Sequence, residues 1–181
     1  MLDRINPWGQ PVRAHTAARV VAVLARDPWQ VHAYFALRRA IFAEEQGIFA
    51  DSDSDERDAH ASPIVALSEI AGMPDRVVGV VRIYEAAENT WFGGRLGVLR
   101  EYRRQGAVGS ALITEAVSTA HGWGCRRFLA TVQAPNVRYF ERHHFRPLEA
   151  IEILGRPHAL MEADLACYPP TSASSWQARA S

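Results

Sequence analysis

Between residues 90 and 132 four segments follow without a break: a glycine-bearing β-rich stretch, a basic turn, an apolar-periodic helix and a second β-rich stretch. Few folds accommodate that order. Two strands joined through a helix lie parallel in one sheet, and the turn leaving the first strand then sits at a strand's carboxyl end, where open sheets bind ligands. The turn reads Tyr102-Arg-Arg-Gln-Gly-Ala-Val-Gly-Ser-Ala-Leu112. Gly106 and Gly109 permit a tight path and close backbone approach, and the first helical turn offers unpaired N–H groups at the positive end of its dipole. Arg103 and Arg104, with Arg100 nearby, add charge suited to phosphate. Downstream, Leu112, Ile113, Ala116, Val117 and Ala120 form one buried stripe, which stops at His121-Gly122-Trp123-Gly124.

The remaining pattern completes an α+β layout around one mixed sheet. Residues 1–17 lack a period and read as an extended arm, residues 18–166 as one domain, and residues 167–181, opening on a Pro169-Pro170 stretch rich in Ser and Ala, as a flexible tail. Strands are expected at residues 18–25, 64–70, 76–84, 90–99, 127–132, 146–153 and 157–165. Asp27-Pro28-Trp29-Gln30 places a capping carboxylate, a first-turn proline and a third-position glutamine, so a helix begins there. Val31, Tyr34, Phe35, Ile41 and Phe42 share its apolar face to about residue 43, with a further short turn through Glu45 and Ile48. Gly93, Gly94 and Gly97 mark a bulge or a close backbone approach in the fourth strand. A helix over 135–143 makes the expectation six to seven strands, mostly antiparallel and twisted, flanked by about four helices.

Charge narrows the function. Twenty basic residues balance twenty acidic ones, so no global field draws the chain to nucleic acid or an anionic membrane. Two cysteines, Cys125 and Cys167, and no long apolar run point to a cytoplasmic setting with free thiols. Residues 51–58 (DSDSDERD) start like a calcium loop, but Glu56 stands where glycine belongs and Ser62 where the closing glutamate belongs, so no metal is expected. A solvated connecting loop is the simpler reading; a wall attracting a cationic substrate is the sharper one. The P-loop lysine is missing before Ser110, and no dinucleotide fingerprint is present, which argues against both nucleotide classes.

The turn resembles the central motif of the GNAT superfamily of N-acetyltransferases, Arg/Gln-x-x-Gly-x-Gly/Ala opening a helix after an extended strand. Residues 37–48 (LRRAIFAEEQGI) look like the first-helix sequence of bacterial members, and Asn136 to Phe145 resembles their late Asn…Phe-Tyr-Glu-x-x-Gly-Phe segment. The likeness covers roughly residues 18 to 165 and extends to the bacterial nitrogen-starvation group. Two departures stand out. Counting from Arg103 puts Val108 at the small position, whereas counting from Arg104 gives Ala107 and Gly109; and the family tyrosine falls on Phe140, beside Tyr139, with His144 for the glycine.

The resemblance implies acetyl-CoA as cosubstrate. Its pyrophosphate would lie on the backbone of Gln105, Gly106, Ala107, Val108, Gly109 and Ser110, with Arg103 and Arg104 near the phosphates. Its pantetheine would pair with the strand at Leu96 to Val98, and Asn136 would complete the site. An amine of a small molecule or peptide would attack directly, with Val98 N–H as oxyanion donor. An alkyl ammonium has a pKa of about 10, so a proton must leave first; Glu85 and Glu45, or Glu44, are the candidate bases and Tyr139 or His143 the candidate acids. Cys125 has no base partner for a covalent route. A homodimer is common in the superfamily. The alternatives are an acyl-homoserine lactone synthase and a catalytically silent acyl-CoA-binding module.

Overall fold

The computed structural model describes residues 19–45, 47, 53–70 and 72–171; the expected N-terminal arm, and the expected tail beyond residue 171, lie outside them. The fold's first strand, β1 (Arg19–Leu24), leads into α1 (Pro28–Arg39). Gln30 Oε1 accepts the N–H groups of Arg26 (3.0 Å) and Asp27 (3.3 Å), so the glutamine anticipated at the helix start does hold the entering chain. The expected extra turn beyond Glu45, toward Ile48, lies outside the described residues. Residues Ala40–Glu45 continue α1 as a π-helix and carry Ile41 and Phe42 into the core. Phe35, assigned to the buried face, is 40 % exposed, and Arg38 is the wholly buried side chain instead.

Then come β2 (Ser62–Ile70), β3 (Met73–Ala87), β4 (Thr90–Val98), α2 (Ala107–Gly122), β5 (Arg127–Gln133), α3 (Val137–Glu141), β6 (Phe145–Ile153) and β7 (Arg156–Ala163). Three α-helices are found among the described residues, rather than about four. The seven strands form one sheet in the order β1-β2-β3-β4-β5-β7-β6. Only β4 and β5 are parallel; the other neighbours are antiparallel. No helix among the described residues is long and apolar enough to cross a membrane.

Both sheet faces are covered, which is why β2 reads as a continuous apolar run rather than an alternation. Ile64 and Ala66 face α2, packing with Leu112, Ala116 and Val117, while Val65 and Leu67 face α1 with Tyr34, Leu37 and Ile41. Burying a side chain such as Leu112 contributes about 2 kcal/mol. Helix α2 sits hard against β3: a Cβ on Gly79 would come within 2.8 Å of Val108 and 2.9 Å of Leu112. The start of the expected tail belongs to this body. Tyr168 is buried and its hydroxyl donates to the His143 carbonyl, while Thr171 N–H donates to Ser118 O at 3.1 Å.

Candidate active site

Strands β4 and β5 pair from Thr90–Arg127 to Gly93–Ala130 and then part, although both continue. Each strand has a reason to leave. On β4, the three-residue step from Gly94 to Gly97 opposes the two-residue step from Val80 to Arg82 on β3, a bulge with Arg95 at φ 55°. On β5, Leu129 to Gln133 pair on their far side with β7. Leu99 N–H donates to Val78 O (2.9 Å), so strand alternation turns the Val98 N–H the other way, into the gap. The gap opens a cavity of about 300 Å³ whose walls include Leu96, Phe128, Thr131, Asn136 and Phe140.

Beside the gap, Arg100–Gln105 form a 3₁₀ turn and Gly106 takes the left-handed conformation (φ 66°) before α2 begins at Ala107. The N–H groups of Ala107, Val108 and Gly109 precede the first intrahelical bond, Ser110 N–H to Gly106 O, and no side chain caps them. A helix start with uncapped N–H groups therefore adjoins a strand edge that leaves its neighbour. Gly106 is the glycine the turn requires, which counts the motif from Arg103. Val108 then points into the core. Gly109 is needed for packing: a Cβ there would lie 2.5 Å from the Tyr139 hydroxyl.

The Acetyltransferase (GNAT) family model matches residues 24–145. The chain belongs to the GNAT acetyltransferase family. It is 27 % identical over 145 residues to the uncharacterized N-acetyltransferase YjcF of Bacillus subtilis (strain 168), covering 79 % of this chain and 99 % of that one. A putative N-acetyltransferase from Lactobacillus plantarum superposes with a TM-score of 0.70 at 25 % identity, over 80 % of this chain and 97 % of its own. BjaI, a CoA-dependent acyl-homoserine lactone synthase, shares the fold at 19 % identity and a TM-score of 0.62, over 83 % and 86 %. This GNAT protein is accordingly an acyltransferase.

Its anticipated site residues divide into two groups. Leu96 and Asn136 line the cavity, Val98 ends β4, and the segment from Arg103 to Ser110 forms the end of the 3₁₀ turn and the first turn of α2. Arg104 is exposed and has no carboxylate partner among the described residues. Arg103 is occupied: Nε donates to Val98 O (2.7 Å), and Nη1 and Nη2 donate to Glu45 at 2.5 and 2.8 Å. Glu45, expected as a base, is thus ion-paired with Arg103, and the hydrogen bond from Arg103 holds its carboxyl below the usual range. Glu44 pairs loosely with Arg39 at 3.7 Å, both exposed. Glu85 accepts Asn89 N–H (2.9 Å) across the β3–β4 turn; it pairs with Trp91, about 20 Å along the strand from Val98.

The proposed acids are also accounted for. Tyr139 donates its hydroxyl to Gly106 O (3.2 Å), and burial pushes its pKa up, which makes it a weaker acid. Phe140 is the ring that reaches the cavity, packed edge-on against Phe145 with centroids 5.1 Å apart. His143 Nδ1 lies 2.8 Å from Tyr139 O. Burial pushes the Cys125 thiol up, the wrong direction for a nucleophile.

The residues that the sequence reading passed over lie on the α1 face. Of the acidic stretch, read as a solvated loop, Asp53, Asp55 and Asp58 fold onto three arginines. Arg38, wholly buried, donates Nε to Asp53 (2.7 Å) and Nη1 to Asp58 (2.6 Å). Arg82 binds Asp55 through both Nη atoms (2.7 and 2.6 Å) and Asp58 through Nη1 (2.7 Å). Arg95 reaches Asp53 at 3.1 Å and Asp55 at 3.3 Å. Burial alone would raise the Asp58 carboxyl, but bonds from Arg38, Asp55 N–H and Arg82 bring it down to about 2. Burial and the Arg82 charge push Arg95 below the usual guanidinium range. A signal for this cluster was present: Arg82 interrupts the apolar run Val80-Val81-Arg82-Ile83, and an arginine fixed inside a core strand requires carboxylates to meet it.

Proposed function

We propose that this GNAT acyltransferase uses acetyl-CoA and transfers its acetyl group to an amine by direct attack within a ternary complex. The observation that carries this reading is the juxtaposition of the unpaired β4 edge, Leu96 to Val98, with the uncapped first turn of α2. The N–H groups of Ala107, Val108 and Gly109 hold the pyrophosphate with Arg104 alongside, and the β4 edge takes the pantetheine amides as a partial strand. Val98 N–H, turned into the gap, stabilises the oxyanion as the amine attacks the thioester carbonyl. The C–N bond forms, the C–S bond breaks, and the thiolate leaves with coenzyme A.

Proton transfers fall to solvent at the cleft. Glu45 and Glu85 are engaged elsewhere, and the cavity wall at Phe140 has no proton to give. Coenzyme A thiolate is a good enough leaving group for water to protonate it. The rate should then rise with pH toward the acceptor's own pKa of about 10, without a protein ionisation near neutrality. Free thiol released from acetyl-CoA across a panel of amines tests the reading, and release no faster with any amine than without one would overturn it. Phe140 favours one second reading, a silent acyl-CoA-binding module. Saturable calorimetric binding of acetyl-CoA without thiol release would establish that instead.

A further inference from the structure

The turn between β6 and β7 is built on a residue that its backbone disfavours. Ile153 and Arg156 pair, so Leu154 and Gly155 are the two central residues of the hairpin, and both have positive φ, 50° and 70°. Asparagine, aspartate and glycine are favoured in such a turn, because the Cβ of other residues crowds the following carbonyl. Between β3 and β4 the chain meets the same demand with Asn89, at φ 56°. Leu154 is 72 % exposed, so packing within the fold does not offset its strain. Its place does account for it. Leu154 and its neighbour Ile153, 39 % exposed, both line the cavity between the parted strands and are open to a ligand there.

We infer that the acceptor is a monoamine with an apolar body, and that Leu154 and Ile153 receive that body at the open end of the gap. This names the acceptor class of the acetyltransferase reading above and rests on it. β4 last pairs with β5 at Gly93–Ala130, and β5 runs on to Gln133, whose partner on β7 is His158. Because β7 begins at Arg156, two residues further out, the turn stands at the end of the gap where β4 finishes at Val98. Val132 and Ala159 pack with the α2 cluster, so Gln133 and His158 face the other side of the sheet, as do Arg156 and its partner Ile153. With the coenzyme held at the start of α2, that side is left to the acceptor. Charge on this side does not select an anion: Arg38, Arg82 and Arg95 are matched by Asp53, Asp55 and Asp58. Arg156 lines the cavity without a carboxylate partner among the described residues, and opposes a second ammonium group beside the turn. Ile153 and Leu154 supply apolar surface, which a hydrocarbon body removes from water and a polar one does not.

The test compares three acceptors at saturating acetyl-CoA: hexylamine, the equally long ether alcohol 2-(2-aminoethoxy)ethanol, and 1,6-diaminohexane. Leu154→Asn is the diagnostic variant, because asparagine accepts the left-handed conformation and removes the apolar contact. The expected result is a kcat/KM for hexylamine about tenfold or more above that for either of the others. Its preference over the ether alcohol should fall about fivefold or more in Leu154→Asn, while the thermal midpoint of that variant is unchanged or raised. Use of the ether alcohol or the diamine as good as that of hexylamine, or a preference over the ether alcohol that survives Leu154→Asn, would overturn the inference. So would a lowered thermal midpoint, since the leucine would then serve the fold. If no amine releases thiol, the acetyltransferase reading fails separately. Calorimetric titration of hexylamine against the protein and Leu154→Asn then decides the acceptor site: binding weakened about fivefold or more in the variant supports it, and unaltered or absent binding overturns it.

Discussion

Arginine plays opposite parts on the two sides of the cleft. On the α1 face, Arg38 and Arg82 are buried and their heads are tied to Asp53, Asp55 and Asp58. On the turn before α2, Arg103 and Arg104 are exposed; one braces Val98 and Glu45, and the other has no ion-pair partner among the described residues. The same residue type is architecture where water is excluded and reserve charge where it is not. Removing one partner of a buried pair strands its carboxylates in the interior, whereas an exposed arginine loses only a screened interaction.

The sharpest way to break this contrast is Arg38→Ala, which should cost about 4 kcal/mol in urea unfolding because Asp53 and Asp58 lose their main donor. A cost below about 1 kcal/mol would mean that the cluster is no more structural than the turn. Acid provides a second separation. Asp58 titrates at about 2 in the folded protein against 3.8 as its ordinary value, so folding binds fewer protons than unfolding. The corresponding stability, about 2 kcal/mol, is fully present above about pH 5 and lost as pH falls through 4 toward 2. Asp55 is lowered as well and acts in the same direction. This acid-sensitive term should disappear from the stability profile of Asp58→Asn.

On the turn side the effects are smaller. Gly109→Ala should cost about 1 to 2 kcal/mol by driving a methyl onto the Tyr139 hydroxyl, and Tyr139→Phe should recover most of it, because the next ring atom lies at 3.3 Å. Additive losses would show that Gly109 serves the ligand rather than the packing. Arg104→Gln should weaken acetyl-CoA binding about fivefold, close to 1 kcal/mol, with a shallower salt dependence by calorimetry. Smallest of all, Glu45→Gln should change stability by less than about 1 kcal/mol and kcat by less than about tenfold, since its pair with Arg103 is exposed. A hundredfold fall in kcat would restore Glu45 as the base.

Much of the architecture was readable from residue pattern. Seven runs became seven strands, even though β6 is mostly exposed beyond Phe145, and the strand-turn-helix-strand order fixed the one parallel pair. The turn was legible through its glycines, although two glycines of like appearance have different causes: backbone conformation at Gly106 and a neighbouring tyrosine at Gly109. Long-range pairings were not legible. Arg38 and Asp53 are 15 residues apart, Arg82 and Asp55 27, and Arg103 and Glu45 58, so periodicity along the chain carries no trace of them. Phe35 and Arg38 exchanged places for that reason, since the carboxylates from the acidic stretch make the arginine the better buried residue. Tyr168 was hidden by its proline-rich neighbours, whose composition describes the local chain and not the helix surface against which it packs.

The parting of β4 and β5 leaves the sheet as two leaves, β1 to β4 and β5 to β6, bound along four residue pairs like a book sewn only at one end of its spine. At the sewn end a Cβ on Gly93 would lie 3.0 Å from the Phe128 ring. The opening angle of the leaves, and so the girth of whatever lies between them, is set at this small stitch rather than at the walls of the cleft.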